Sequence, residues 1–269
     1  MVCFPPSKIN LGLRVIRKRD DGYHDIETCF YPLPWNDILE IIPSKTMSFT
    51  NTGIKVPGKY DDNLCLKAYY RLHEEFDLPS VDVHLHKIVP MGAGLGGGSS
   101  DAANTLILLN QLFSLNLSNS QLEQFALRLG SDCAYFIHDK PMIGMGRGEN
   151  LNATDVSLKG KFIVVIKPKV HVSTRDAYTG VKPNDANGSI AEIIKNDSLR
   201  AWKELLVNDF EPSVFKQFPI IRQVKEEFYN QGAEYASMSG SGSAVYGIFN
   251  TKVDLSNYAK EMDYWSGTL

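Results

Sequence analysis

Residues 90–103 read Pro90-Met91-Gly92-Ala93-Gly94-Leu95-Gly96-Gly97-Gly98-Ser99-Ser100-Asp101-Ala102-Ala103. Just upstream, Val81, Val83 and Leu85 alternate with Asp82, His84 and His86, the period of a half-buried strand. Downstream, Ala102, Ala103, Leu106, Ile107 and Leu109 recur as on one side of a helix running from about Ser100 to Leu112. A glycine loop between a strand and a helix favours anions. The first N–H groups of a helix lack internal partners, and the macrodipole adds partial positive charge there. Glycine also lets the backbone approach a phosphate closely and tolerates positive φ. Ser99 and Ser100 add hydroxyls that suit phosphate or Mg²⁺.

Three readings of the loop compete. Gly92-Ala93-Gly94-Leu95-Gly96-Gly97 satisfies the dinucleotide pattern G-x-G-x-x-G, but that fingerprint needs a second strand and an acid about 20 residues on. Here Asn116-Leu117-Ser118-Asn119-Ser120 supplies neither. A P-loop would need a lysine before the serines, and none is present. A bare turn needs one or two glycines. This loop has five within residues 92–98, each costing roughly 0.5–1 kcal/mol against alanine in regular structure.

Away from the loop, Ile9, Leu11, Leu13 and Val15 alternate with Asn10, Gly12 and Arg14, which predicts a strand. Asp20-Asp21-Gly22 is a turn signal, and 25–31 reads as the returning strand. Segments 37–42 and 47–50 are further short strands. A helix is expected from Asn63 to about Phe76, and another after Ser118 or Ser120 carrying Leu122, Phe125, Ala126 and Leu129. The second half opens on the apolar strand Phe162-Ile163-Val164-Val165-Ile166. It continues through a polar loop at 182–188 and two or three helices over 189–231, and closes on a strand at 244–249. The domain boundary is placed within 155–161.

The length of 269 residues allows one large domain or two modest ones at about 100–200 residues each. Net charge is -3, and Arg14, Arg17, Lys18 and Arg19 are followed at once by Asp20 and Asp21, so the basic footprint of a nucleic-acid binder is missing. The four cysteines, Cys3, Cys29, Cys65 and Cys133, form no C-x-x-C pair and read as free thiols of a reducing compartment. No signal peptide is recognised, and no apolar run reaches the about 18 residues of a membrane span. A cytoplasmic protein without membrane or nucleic-acid partners is expected. His84 and His86 share a strand face, but no third ligand has metal-site spacing.

The stretch 90–103 resembles the phosphate loop of the GHMP kinases. Other segments agree: Ser7-Lys8-Ile9-Asn10-Leu11-Gly12-Leu13, Asp21-Gly22-Tyr23-His24-Asp25-Ile26-Glu27-Thr28 and Gly130-Ser131-Asp132-Cys133-Ala134-Tyr135-Phe136. So do Gly144-Met145-Gly146-Arg147-Gly148-Glu149 and Met238-Ser239-Gly240-Ser241-Gly242-Ser243-Ala244. The resemblance implies an α+β fold in two domains. Residues 1–156 would form an ATP-binding domain like the second domain of ribosomal protein S5. Residues 157–269 would form a ferredoxin-like, substrate-side domain.

The implied activity is transfer of the γ-phosphoryl of ATP, with Mg²⁺, to the 2-hydroxyl of the methylerythritol moiety of a cytidyl sugar-alcohol diphosphate, within non-mevalonate isoprenoid precursor synthesis. By resemblance Asp132 is the base and Lys8 its charge partner. Asn63, Lys87, Pro90, Gly92, Ala93, Gly94, Leu95, Gly96, Gly97, Gly98, Ser99 and Ser100 bind ATP, with Lys87 reaching adenosine or phosphate unless it merely ends its strand in solvent. Asn10, Tyr23, His24, Thr174, Tyr178, Gly240 and Ser241 bind the acceptor. Tyr23 and Tyr178 stack on cytosine, and His24 bonds its edge. The metal ligands stay open, since Gly97 and Gly98 come before the serines where many relatives have serine at once; Ser99 and Glu123 are candidates. Ala134 replaces a proline common in relatives, and Tyr178 a phenylalanine. The protein is expected as a monomer or weak homodimer. Rival readings are a family member acting on a smaller acceptor, such as homoserine, and a catalytically silent nucleotide-binding protein.

Overall fold

The computed structural model describes residues 1–184 and 188–269. In chain order the strands are β1 (Val2–Cys3), β2 (Pro6–Lys18), β3 (His24–Asn36), β4 (Ile38–Pro43), β5 (Ser48–Gly53), β6 (Val81–Lys87), β7 (Met142–Gly146), β8 (Asn150–Ala153), β9 (Phe162–Lys167), β10 (Tyr235–Met238), β11 (Val245–Phe249) and β12 (Asp263–Thr268). The helices are α1 (Leu64–Phe76), α2 (Gly97–Leu112), α3 (Asn119–Leu127), α4 (Thr174–Thr179), α5 (Ile190–Asn196), α6 (Trp202–Leu205), α7 (Glu211–Gln217) and α8 (Pro219–Asn230). The expected mixture of helix and sheet is present. The chain folds into two compact units, one of residues 1–7, 35–91 and 96–139, the other of 8–34, 92–95 and 140–269. These units interleave along the chain, because the hairpin of residues 8–34 packs with the C-terminal half.

The first unit is built on a sheet of order β1-β4-β6-β5, in which only β5 runs parallel to its neighbour β6. Helix α1 starts where expected because the Asn63 side chain accepts from Cys65 N at 2.8 Å. Cys65, Leu66, Ala68, Tyr69 and Leu72 form its buried stripe. Ser118 and Gln121 form a capping box that opens α3. Helix α2 begins at Gly97, three residues ahead of expectation. A Cβ at Gly97 would lie 3.1 Å from Val89 Cγ1, a crowded contact that glycine avoids where the helix starts close to the strand end.

In the second unit the sheets are β2-β3-β7-β8 and β10-β11-β9-β12. Ile9, Leu11 and Val15 are fully buried, and so is the polar side of β2 at Asn10 and Lys8. The two-fold period predicted the strand but not that both faces are covered. β9 is apolar from Phe162 to Ile166 because it sits between β11 and β12 with both faces buried. One face packs Phe162, Val164 and Ile166 against Val214, Ile221, Val224 and Phe228 of α7 and α8. Four helices, not two or three, fill 190–230. Strands β1, β7, β8, β10 and β12 and helix α4 went unpredicted: glycines break the period of β7, β12 is largely polar, and the others are short. Of the loop expected over 182–188, residues 185–187 lie outside the described residues. No helix among the described residues is long and apolar enough to cross a membrane.

All four cysteines are free, and Cys29, Cys65 and Cys133 are buried. Burial pushes the Cys133 thiol up to about 12, as it does for Cys3, and raises Cys29 and Cys65 further. The thiolate is the reactive form. Native protein at pH 8 is therefore expected to react with a thiol reagent at least about tenfold more slowly than denatured protein at all four positions, as followed by mass spectrometry.

Candidate active site

The start of α2 is open in the way an anion requires. Its N-cap is Gly96, at φ +71°, and no side chain caps the helix. The amides of Gly97, Gly98 and Ser99 thus keep the donors that a cap would occupy. A Cβ at Gly98 would meet only Leu64 Cδ1, at 3.8 Å, an ordinary contact. The fold therefore does not demand glycine at 98, and a missing side chain there leaves the helix start open to close approach. Ser99 and Ser100 lie in the first turn, with Ser100 fully buried.

Gly94 and Gly242 have a different duty. A Cβ on Gly94, at φ +81°, would stand 1.9 Å from the Ser239 carbonyl oxygen, and one on Gly242 would stand 2.1 Å from the Ala93 carbonyl carbon. The two glycine turns meet backbone to backbone. Ala244 N donates to Ala93 O at 3.0 Å, and Ser239 Oγ to Gly94 O at 2.8 Å. The Lys8 amide donates to Leu95 O at 2.9 Å, tying β2 to the same loop. Gly92, at φ +62°, faces the His171 ring, 3.0 Å from where its Cβ would be.

On β2, Lys8 and Asn10 share a face as expected, and Lys8 Nζ donates to Asn10 Oδ1 at 2.7 Å. Asn10 Nδ2 donates to Thr28 Oγ1 at 2.9 Å, and Thr28 Oγ1 to Gly12 O at 2.6 Å. Tyr246 OH holds the Asn10 carbonyl at 2.7 Å. Lys8 is only 3% exposed and lies 5.2 Å from the Phe30 ring centre, so its ammonium is held in one place.

Tyr23 is 57% exposed and carries Arg147 over its ring at 5.0 Å. His24, not Tyr23, stacks on Tyr178, at 4.7 Å and 25°. Burial and then Lys18 lower the His24 pKa, so the ring is neutral at pH 7 and offers one donor and one acceptor. Thr174, at the start of α4, accepts from Ser241 Oγ at 3.3 Å, and Gly240 adopts φ +57°.

In the other unit, Asp132 lies in a 3-10 turn, Ser131–Ile137, half-exposed and next to buried Cys133. Glu123 on α3 pairs with His138 at 2.9 Å. Asn63 spends its side chain on capping α1. Lys87 does not end in solvent; it turns inward to Asp37 and Asp101. Pro90 and Leu95 are buried. His84 Nε2 and His86 Nδ1 each lie 2.9 Å from Thr52 Oγ1. Among the described residues no group of three His, Cys, Asp or Glu side chains is placed to hold a metal ion.

Sequence reading missed Asn208, Asp37 and Asp101. Asn208 Nδ2 donates to Met238 O at 2.8 Å and Gly240 O at 2.9 Å, clamping the second glycine turn. No local pattern marks the clamp, because both carbonyls that accept from its Nδ2 are 30 or more residues away.

Residues 63–140 match the family described as GHMP kinases N terminal domain, and residues 189–264 match GHMP kinases C terminal. The chain is 54% identical over 253 residues to a 4-diphosphocytidyl-2-C-methyl-D-erythritol kinase of Cytophaga hutchinsonii, covering 94% of this chain and 93% of that one. It is 52% identical to the kinase of the same name from Bacteroides thetaiotaomicron, covering 93% and 92%. A crystal structure of 4-(cytidine 5'-diphospho)-2C-methyl-D-erythritol kinase superposes with a TM-score of 0.80 at 30% identity, covering 100% of this chain and 98% of that one. A mevalonate kinase structure, at 15% identity and a TM-score of 0.72, shares the fold.

The two kinds of glycine are expected to respond oppositely. Gly98→Ala should raise stability by about 0.5–1 kcal/mol and weaken ATP binding about tenfold. Gly94→Ala should lower the melting temperature or prevent folding, because its Cβ has no room. Thermal denaturation and titration calorimetry with ATP check both.

Proposed function

The chain belongs to the GHMP kinases, and from that premise we propose that it phosphorylates the 2-hydroxyl of 4-diphosphocytidyl-2-C-methyl-D-erythritol with ATP, in the non-mevalonate route to isoprenoid precursors. The observation that carries the reading is identity above one half, over nearly the whole chain, to a relative of that name. The uncapped start of α2 suits the ATP phosphates, and Tyr23, His24 and Tyr178 suit a pyrimidine.

Phosphoryl transfer asks the protein mainly for positioning and charge neutralisation. In the proposed step the acceptor oxygen attacks the γ-phosphorus and its proton passes to the Asp132 carboxylate. The bond to the β-phosphate bridging oxygen breaks, and ADP leaves. Lys8 supplies fixed positive charge. Its tether to Asn10 and its burial keep that charge from dispersing into water. Asn10 orients Lys8, and Thr28 orients Asn10. Tyr23 covers the cytosine face, His24 and Tyr178 frame the base, and Thr174 with Ser241 holds the polar part of the acceptor.

Mg²⁺ takes oxygen ligands and commonly uses one or two carboxylates besides substrate phosphates. The hydroxyl of Ser99 and the carboxylate of Glu123 have that chemistry, and they would hold the ion. When bound, it neutralises charge on the phosphates. We take residues 1–156 and 157–269 as the family's two domains, and we place the protein in the cytoplasm as a monomer or weak homodimer.

Asp132→Ala is expected to lower kcat by about 10²–10⁴-fold while leaving ATP affinity within about threefold. Equal turnover by variant and parent would remove Asp132 from the mechanism. Tyr23→Ala should raise KM for the cytidyl acceptor about tenfold, the worth of one aromatic stack. CDP should compete with the acceptor. Faster turnover of homoserine than of the cytidyl substrate would point to another member of the family.

A further inference from the structure

Three ionisable side chains lie in the core of the first unit. Asp37 is 0% exposed, Lys87 2% and Asp101 3%. Asp37 is the single residue between β3 and β4. Its Oδ1 accepts from the amides of Ile88 at 2.6 Å and Val89 at 2.8 Å, the first residues after β6. Its Oδ2 accepts from Lys87 Nζ. The same ammonium donates to Asp101 Oδ2 at 2.7 Å. Asp101 lies on α2 one turn beyond Gly97. The ammonium also stands 2.8 Å from where a Cβ on Gly97 would be, directly under the helix start.

Core stability does not account for this cluster. Burying each ion costs several kcal/mol, and well-packed apolar groups often serve a core as well or better. Two carboxylates against one ammonium is also an excess of negative charge. The second Asp101 oxygen, Oδ1, is buried without a hydrogen-bond partner. What the cluster does supply is geometry. It joins the β3–β4 corner, the two amides that lead into the phosphate loop and the first turns of α2 through one fixed point.

We infer that Asp37, Lys87 and Asp101 form a buried staple that positions the phosphate-binding amides at the start of α2. They are positioning residues: Lys87 serves ATP through the helix and not by touching it. This rests on the reading of the α2 start as the ATP phosphate site. Misplacing binding groups by about 1 Å can cost up to 10²-fold, so a partial release is expected to show in phosphate affinity.

The test compares Asp101→Ala with Asp101→Asn. The alanine removes the tie to the helix but leaves Lys87 and Asp37 as a balanced pair. The asparagine oxygen can still accept from Lys87. By calorimetry, Asp101→Ala should weaken ATP about tenfold while adenosine, which lacks phosphates, changes by less than about twofold. Asp101→Asn should return ATP affinity to within about threefold of the parent. Melting curves confirm that each variant is folded. The staple is refuted if Asp101→Ala binds ATP like the parent, if ATP and adenosine weaken equally, or if Asp101→Asn is as weak as Asp101→Ala. Should Asp101→Ala not fold, Asp37→Ala carries the same expectation, since it keeps the Lys87–Asp101 pair and removes the acceptor that holds the Ile88 and Val89 amides. A parent protein that binds no ATP at all overturns the kinase reading itself, a different result from any of these.

Discussion

The carbonyl oxygen of Ser239 occupies the space that a side chain at residue 94 would need. That contact constrains much of the second unit. It requires glycine at 94 and permits Ser239 Oγ and the Ala244 amide to hold the loop by hydrogen bonds. Asn208 fixes the turn from behind through Met238 and Gly240. Residues 92–95 are thus shaped by protein contacts, before any ligand arrives. The loop's glycines divide into those that let backbone meet backbone and those, such as Gly98, that leave open space beside the helix start.

Polar side chains buried along β2 follow the same logic of prior placement. Lys8, Asn10 and Thr28 would each cost free energy in an apolar core if unpaired. Linked in series, and closed by Tyr246 OH on the Asn10 carbonyl, each finds a partner within the fold. A strand is a rigid support for such a chain, because alternate residues project to one side at fixed spacing.

The period of β2, the strand–loop–helix unit around 90–103 and the caps at Asn63 and Ser118 were legible because each depends on neighbours a few residues apart. Motif resemblance added Lys8 and Asp132, which composition and periodicity would have left as a strand lysine and a loop acid. Illegible were the pairings set by tertiary approach. His24 meets Tyr178 across 154 positions, and Lys87 meets Asp37 across 50. For the same reason α2 started earlier than its apolar pattern suggested: the pattern records where large side chains begin to pack, while Gly97 and Gly98 extend the helix with none. Gly97 in particular reads as phosphate chemistry in sequence, yet the structure shows it also leaves room for the Lys87 ammonium.

The charge of that buried cluster bears on how an anion can bind nearby. Two ionised carboxylates with one ammonium would leave net negative charge behind the α2 start and oppose the helix dipole there. Burial, the largest influence, raises the Asp101 pKa; Lys87 pulls it down and Asp37 pushes it up again, leaving it above the usual carboxylate range. For Lys87, burial works against the charge, but Asp101 and Asp37 together hold its pKa above the ordinary value. The ammonium therefore persists and one carboxyl favours its proton, so the cluster approaches neutrality as pH falls toward the raised pKa. Because that folded-state pKa is raised, the proton's contribution to stability is complete below the ordinary carboxylate range and fades as pH climbs through the raised value. A buried acid whose pKa is raised carries less negative charge behind the helix start, which lessens the repulsion of phosphates that bind at its amides.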